Sequence, residues 1–318
     1  MIANCTLQAE DRDAGERLDA FILARVPTSS RSLVLEAIEK KWLSVNGRRE
    51  KKGYKINPGD KVVIDRLLEA SDWKAAPNAE IRISVIHEDP SFLVIDKPPG
   101  VPVHPLEPFE TDTVVNGLVA AYPDVAGIGP DRLFPAIVHR LDTETSGVML
   151  AARTKAAYDA LRRQFRDKRV SKKYVALVCG RLSENASLEN WLTHSPSGPH
   201  RMLVAEQSAR KAMMAITEYS VRETLSSHTL LDVTIRTGVT HQIRCQLAHI
   251  EHPLAGDVLY GSKEADAGYE GRLFLHAREI SFADPVTGTE RCFHSELPGE
   301  LSNLLQRLRG GKTTGNAP

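Results

Sequence analysis

One stretch of thirteen residues constrains the fold most. Residues 138–150 read Val-His-Arg-Leu-Asp-Thr-Glu-Thr-Ser-Gly-Val-Met-Leu, with apolar runs at 134–138 and 148–152. The pattern predicts a strand, a tight loop and a second strand, with Arg140 and Asp142 displayed at the loop. An ordinary hairpin with a surface ion pair, which stabilises a protein little, fits the same pattern equally well.

The length and composition are those of an ordinary globular protein. The chain has 318 residues, of which 42% are hydrophobic and 26% charged, and such a length predicts more than one domain. The 41 basic and 41 acidic residues cancel, so only local clusters can indicate nucleic-acid binding. The four cysteines lack C-x-x-C spacing, which favours free thiols. With no apolar run of membrane-spanning length, we expect a cytoplasmic monomer that binds no membrane.

Further motifs accompany the central stretch. A proline-stiffened loop, Asp-Lys-Pro-Pro-Gly, begins at Asp96, and Lys-x-Tyr-x-Ala-x-Val-x-Gly begins at Lys172. A third motif, Thr-Gly-Val-Thr-His-Gln-Ile-Arg, covers residues 237–244 and ends a predicted strand before a helix. Together with His-Arg-Leu-Asp-x-x-Thr-Ser-Gly at residues 139–147, this set resembles the motifs of the RluA-type pseudouridine synthases. Val239 stands where that family usually has Arg.

The resemblance implies a fold and a chemistry. The implied fold is α+β, with a mixed, mostly antiparallel central sheet and flanking helices. Asp142 would be the catalytic carboxylate, Arg244 its partner, and Tyr174 the ring that holds the target uracil. No metal or organic cofactor would be needed. The residues implied to contact the substrate are Arg140, which would fill the gap left by the flipped base, His139, Thr145, His241 and Gln242.

The amino-terminal part forms a separate pattern. Two helical patterns and a small hairpin precede residue 68, and they contain Arg17-Leu18-Asp19, Ser30-Arg31-Ser32, Val45-Asn46-Gly47 and Gly59-Asp60. On these residues the unit resembles the S-four RNA-binding domain, although Lys41 stands where that domain usually has Gly. Nine basic and three acidic residues lie within 40–66, and eight basic residues lie within 154–173. Excess positive charge suits phosphate contact, although a solvated surface would show it too. The predicted RNA-binding residues are Arg31, Arg48, Arg49, Lys51, Arg162, Arg163, Lys172 and Lys173.

These observations predict four segments. They are an RNA-binding module at residues 10–68, a linker at 69–79, a catalytic domain at 80–308 and a disordered tail at 309–318. The chain is therefore predicted to be an RNA pseudouridine synthase. Large-subunit ribosomal RNA is favoured over transfer RNA, because a second basic surface suits a large folded RNA.

Three other functions compete with this prediction. A metal hydrolase could use His241, His249 and His252, but their spacing matches no recognised hydrolase motif. A retaining glycosidase would need two neighbouring carboxylates, with Glu144 as the second. A non-catalytic RNA-binding protein is the strongest rival, yet it has no use for the set Asp142, Tyr174 and Arg244.

Overall fold

The fold is that of a computed structural model, which describes residues 1–196, 201–261, 269 and 271–310. The chain divides into two compact units. The first contains Met1–Ala76 together with Leu106–Glu110 and Asp131–Leu133; the second contains Pro77–Pro105, Thr111–Pro130 and the described residues from Phe134 onward. None of the described helices is long and apolar enough to span a membrane.

The first unit is a three-stranded antiparallel sheet with two helices. Its elements are β1 (Ile2–Gln8), α1 (Leu18–Arg25), α2 (Arg31–Glu39), β2 (Leu43–Val45) and β3 (Lys61–Leu67), and the strand order is β1-β3-β2. Ser30 caps α2, because its hydroxyl accepts a hydrogen bond from the Leu33 amide at 3.3 Å. Lys41, just after α2, has φ = 58°. This is the left-handed conformation that favours Gly, the residue that the S-four domain usually has at this place.

This unit is longer than the predicted module of residues 10–68. Strand β1 begins at Ile2 and pairs with β3 along its length, from Ile2 opposite Leu67 to Gln8 opposite Lys61. The sequence of β1 is too polar to show a period, because its side chains are only half-buried or exposed. Residues 69–76, predicted as linker, belong to the same unit.

The second unit is built on one ten-stranded sheet. Its strands are β4 (Ser84–Glu88), β5 (Phe92–Lys97), β6 (Ser146–Ala152), β7 (Ser171–Cys179), β8 (Ala186–His194), β9 (Met202–Ala205), β10 (Met213–Thr224), β11 (His228–Ile235), β12 (Leu275–Ala283) and β13 (Glu290–His294). Their order is β4-β5-β6-β12-β7-β11-β10-β8-β9, and β13 pairs with β12. The β6–β12 pair is parallel and the other named pairs are antiparallel. The predicted mixed, mostly antiparallel sheet is confirmed.

Four α-helices accompany this sheet in the part of the second unit that the structure describes. They are α3 (Val114–Ala121), α4 (Lys155–Arg166), α5 (Gln242–His249) and α6 (Gly299–Gly310). The hydroxyls of Thr113 and Thr154 cap α3 and α4 by accepting backbone N–H groups of their first turns. Because α6 includes residues 309 and 310, the predicted disordered tail is too long at its start; residues 311–318 lie outside the described residues.

The apolar run at residues 134–138 is not the strand that its sequence predicts. It is a buried loop with a single bridge, between Ile137 and Ala151 of β6. Ala136 has φ = 64°, which breaks an extended conformation, and its carbonyl accepts the amide of Ala152 at 2.8 Å. Burial alone therefore explains the apolar run, which does not continue the sheet.

Candidate active site

A cleft of about 730 Å³ opens in the second unit. The central loop, the start of β7 and the segment that leads into α5 all contribute to its wall. Asp142, Tyr174 and Arg244, separated by up to about one hundred residues in the chain, line this cleft together. The other predicted substrate contacts also line it: His139, Arg140, Thr145, His241 and Gln242.

Asp142 lies in the short loop before β6. The amide of Thr145 donates to the Asp142 carbonyl at 3.1 Å, which closes a tight turn around the carboxylate. The side chain of Asp142 is 23% exposed, so it is open to the cleft without being solvated on all sides. Gly147 has φ = 119° and lies so close to the Ala277 backbone that a Cβ atom would clash with it. Only Gly can therefore end this loop.

Lys97 ties the loop to the neighbouring Pro-rich segment. Its ammonium, 1% exposed, donates to the carbonyls of Pro98, Val101 and Thr143 at 2.7–2.8 Å. Burial lowers the pKa of Lys97 to about 7. The residue cross-links residues 98–101 to the loop that carries the carboxylate. The Asp-Lys-Pro-Pro-Gly motif indicated the loop at this place, but not this role.

Arg244 stands between two carboxylates. Its Nε and Nη2 donate to Asp257 at 2.7 and 2.8 Å, a bidentate pair, and its Nη1 lies 3.6 Å from the Asp142 carboxylate. The 3.6 Å distance between Arg244 and Asp142 is too long for a hydrogen bond but is that of an ion pair. Because one edge of the planar guanidinium is taken by Asp257, the remaining nitrogen is directed at Asp142.

Asp257 is the site residue that sequence reasoning missed. Its side chain is fully buried, and besides Arg244 it accepts the amides of Leu259 and Tyr260, both at 3.0 Å. Four donors therefore fix its position. The run Gly256-Asp257-x-x-Tyr260-Gly261, shortly after the third motif, was the available signal. Spacing alone could not show that it reaches Arg244.

Tyr174 begins the buried half of β7 and is 6% exposed. Burial raises its pKa, and the negative charge of nearby Asp142 adds to the effect. Its phenol is therefore neutral at physiological pH. An apolar ring on the cleft wall, close enough to Asp142 to feel its charge, can receive a flat base beside the carboxylate.

Three residues near Asp142 in the central motif, Arg140, His139 and Thr145, differ in their exposure and in their contacts. Arg140 is exposed and donates to the Thr240 hydroxyl at 2.6 Å. His139 stacks on Phe165, with ring centroids 4.7 Å apart, and its Nε2 accepts the Leu150 amide at 2.9 Å. Burial lowers the pKa of His139 to about 3, and neighbouring cations add to that effect, so the ring is neutral. Thr145 is buried, and its hydroxyl has no hydrogen-bond partner among the described residues.

Gln242 and His241 of the third motif both contact other groups of the protein. Gln242 donates to the Ile216 carbonyl and the Thr217 hydroxyl, and accepts from Thr237 and Val239. Both ends of this buried amide are thereby engaged within the protein. His241 has φ = 52°, and its Nδ1 lies 3.1 Å from the Tyr260 hydroxyl.

Two of the four predicted RNA-binding residues of the second unit line the cleft, Arg162 and Lys172. Lys172 donates to the Thr237 carbonyl at 3.0 Å, and burial lowers its pKa to about 8. Arg162 donates to the Val138 carbonyl at 3.0 Å. Of the other two, Lys173 pairs with Glu279 at 2.8 Å, and Arg163 is exposed on α4.

The predicted RNA-binding residues of the first unit lie on its surface. Arg31 and Arg49 pair with Asp19 and Asp65, and their side chains are 67% and 46% exposed. Arg48 and Lys51 are exposed.

Comparisons with known proteins agree with this arrangement. Residues 91–249, half of the chain, match the family model of RNA pseudouridylate synthases, and residues 16–62 match that of the S4 domain. The chain belongs to the RNA pseudouridylate synthase family. The predicted enzyme class, an isomerase that acts on RNA, is confirmed, and the alternative of a non-catalytic RNA-binding protein is not favoured.

Relatives resemble the synthase along nearly its whole length. The uncharacterized RNA pseudouridine synthase YlyB of Bacillus subtilis is 34% identical over 95% of this chain and 97% of its own. Ribosomal large subunit pseudouridine synthase D of Xanthomonas campestris is 33% identical over 94% of this chain and 91% of its own. A solved structure, human RNA pseudouridylate synthase domain containing 4, matches with a TM-score of 0.56 and 26% identity, covering 71% of this chain and 93% of that one.

Proposed function

We propose that the synthase converts specific uridines of large-subunit ribosomal RNA to pseudouridine. The observation that carries the chemistry is the convergence of Asp142, Arg244 and Tyr174 in one cleft. The RNA class is supported by the relatives named ribosomal large subunit pseudouridine synthase D, 29–33% identical over most of the chain.

The reaction breaks the bond between ribose C1′ and uracil N1, turns the base, and joins C1′ to C5. The proton on C5 is lost and N1 gains one, so the overall change is an isomerisation. Asp142 acts either by attacking C1′ or by removing a ribose proton. In both routes the carboxylate must be ionised, and the Arg244 guanidinium lies 3.6 Å from it.

The target uridine must first leave its stack, which costs a few kcal/mol. In the proposed complex, Tyr174 stacks on the freed uracil and Arg140 fills the gap in the RNA. The exposed guanidinium of Arg140, tethered at one nitrogen to Thr240, suits such a reaching role. The surrounding wall excludes water from the broken glycosidic bond, so the detached base is recaptured rather than released.

The remaining candidates support this centre or the RNA around it. His139, Thr145 and Gln242 hold the walls, while His241 lines the cleft beside Asp142. The basic residues near the cleft contact phosphates, and the amino-terminal module adds affinity rather than chemistry. The proposed division of labour assigns RNA affinity to the first unit, which contains the predicted module of residues 10–68, and chemistry to the second, which contains the predicted catalytic domain of about 80–308. A monomer is the proposed acting species.

The decisive experiment maps pseudouridines in total RNA from cells with and without the gene. Complementation with the wild type should restore the missing sites, and complementation with Asp142→Asn should not. We expect the missing sites in large-subunit ribosomal RNA. A deficit confined to transfer RNA would refute the RNA class and leave the chemistry intact; no deficit in any RNA would refute both.

A further inference from the structure

Strands β12 and β13 place three metal-ligating side chains on one face. Glu279 stands opposite His294, and Ser281 stands opposite Cys292. Opposed residues of an antiparallel pair project from the same face, and alternate residues return to it. Glu279, Cys292 and His294 therefore share a face, which is also the more exposed one.

The distances suit a small tetrahedral cation. The Cys292 Sγ lies 3.6 Å from His294 Nε2, and the Glu279 carboxylate lies 3.5 Å from His294 Nδ1. Taking one ligand atom from each residue, all lie within 4.8 Å of one another. Tetrahedral Zn²⁺ with bonds of about 2.0–2.3 Å separates its ligands by roughly 3.5 Å. One cation can take only one of the two imidazole nitrogens, so the three side chains must draw closer together as they bind it.

The other face of strands β12 and β13 packs against aromatic side chains. On the opposite face, Phe293 stacks on Phe282 at 6.0 Å between centroids, and Phe92 meets Phe282 edge-on at 5.3 Å. The Glu279 carboxylate is also oriented, because its Oε1 accepts the Lys173 ammonium at 2.8 Å while its Oε2 faces His294. One oxygen remains for a cation, so the carboxylate is set for monodentate binding.

We propose that Glu279, Cys292 and His294 form a surface site for a borderline-soft divalent cation of the Zn²⁺ type. A thiolate, an imidazole and a carboxylate together favour Zn²⁺ over the hard cations Mg²⁺ and Ca²⁺, which take oxygen ligands. Binding displaces the thiol proton to solvent, and water fills the fourth position. The site takes no part in the isomerisation and stands independently of the proposed function.

Cobalt provides the test, because Co²⁺ reports thiolate ligation by a near-ultraviolet charge-transfer band. Full-length protein, kept reduced, is titrated with Co²⁺ and then with Zn²⁺. We expect a band that saturates at one equivalent and disappears as Zn²⁺ displaces Co²⁺. Cys292→Ser should abolish the band, and His294→Ala should weaken Zn²⁺ binding about tenfold or more. The control is Cys5→Ser, which changes the half-buried thiol of the first unit and should keep the band.

Thermal unfolding is measured for each variant without metal and with Zn²⁺. The Zn²⁺-dependent rise in Tm should occur in the wild type and Cys5→Ser, be absent from Cys292→Ser, and be smaller in His294→Ala at the same Zn²⁺ concentration. If Cys292→Ser does not fold, Glu279→Gln combined with His294→Ala replaces it. Absence of the band in the wild type, or a band unchanged in Cys292→Ser or in that replacement, overturns the proposal.

Discussion

The cleft of the second unit and the basic surface of the first use charge in opposite ways. Arg244 in the cleft is 8% exposed and faces two carboxylates, whereas Arg31 and Arg49 on the first unit are 67% and 46% exposed and have one carboxylate partner each. A buried, fully paired charge fixes the position of a reacting group, and removing one of its charged partners destabilises the fold. Exposed cations act through many weak, salt-screened contacts. We therefore expect substitutions in the cleft to cause large losses of function and substitutions on the surface to cause small ones.

The largest effect is expected from Asp142→Asn. The change keeps the shape and removes the charge that attacks or deprotonates the ribose, so pseudouridine formation should fall about a thousandfold or more. RNA binding, measured by filter retention, should be nearly unchanged. Asp159→Asn, at an exposed residue that pairs with Lys155, is the control. Activity of Asp142→Asn within tenfold of wild type would remove the residue from the chemistry.

The next effect concerns Asp257, which positions Arg244. Asp257→Asn removes one oxygen acceptor from the bidentate pair, and we expect kcat to fall about a hundredfold with little change in KM, because the guanidinium is no longer held opposite Asp142. The free energy of unfolding should drop by about 3–5 kcal/mol. Steady-state kinetics and urea denaturation measure these two quantities.

The matched control is Asp232→Asn on the sheet surface. Asp232 also takes a bidentate pair, from Arg222, but its side chain is 46% exposed. An exposed pair of this kind contributes about 0–1 kcal/mol, so both kinetics and stability should stay close to wild type. Equal losses of stability in the two variants would contradict the contrast between buried and exposed charge.

A smaller effect should appear in the pH dependence of stability. The pKa of His139 is lowered to about 3 in the fold, against 6.5 ordinarily, so between these values only the unfolded chain binds the proton. Stability should therefore fall as pH decreases from 6.5 towards 3, with a slope of up to about 1.4 kcal/mol per pH unit from this residue. His139→Gln can still accept the Leu150 amide and should flatten the slope in urea titrations. An unchanged slope would show that another group dominates.

The smallest effect is expected on the first unit. Arg48→Gln with Lys51→Gln should weaken RNA binding a few-fold and lower the salt slope of the association constant by about one for each phosphate that the variant no longer neutralises. Turnover at saturating RNA should not change. Arg222→Gln, which removes one exposed cation outside both basic clusters, should leave the slope as it is. A decrease of kcat in the double variant would mean that this surface does more than add affinity.

Local structure follows from local residue signals. Ser30 and Thr154 cap the helices at whose starts they stand, and Lys41 adopts the left-handed conformation that its place in the motif requires. These outcomes depend on a few neighbouring residues. The run at residues 134–138 was mispredicted, because an apolar sequence indicates burial but does not say whether a neighbouring strand is available. Strand β1 was only weakly indicated, since its partner β3 lies about sixty residues away.

By itself, the sequence determined the chemistry of the synthase and the identity of its fold. The motifs that contain Asp142, Tyr174 and Arg244 were sufficient because together they resemble those of a single enzyme family, whose model matches residues 91–249. Only the tertiary structure decided which partner directs each group. Asp257 behind Arg244, the three carbonyls around Lys97 and the engaged amide of Gln242 all depend on long-range contacts. Such contacts form when strands distant in the chain pair side by side, and the spacing of residues along the chain does not encode those distances.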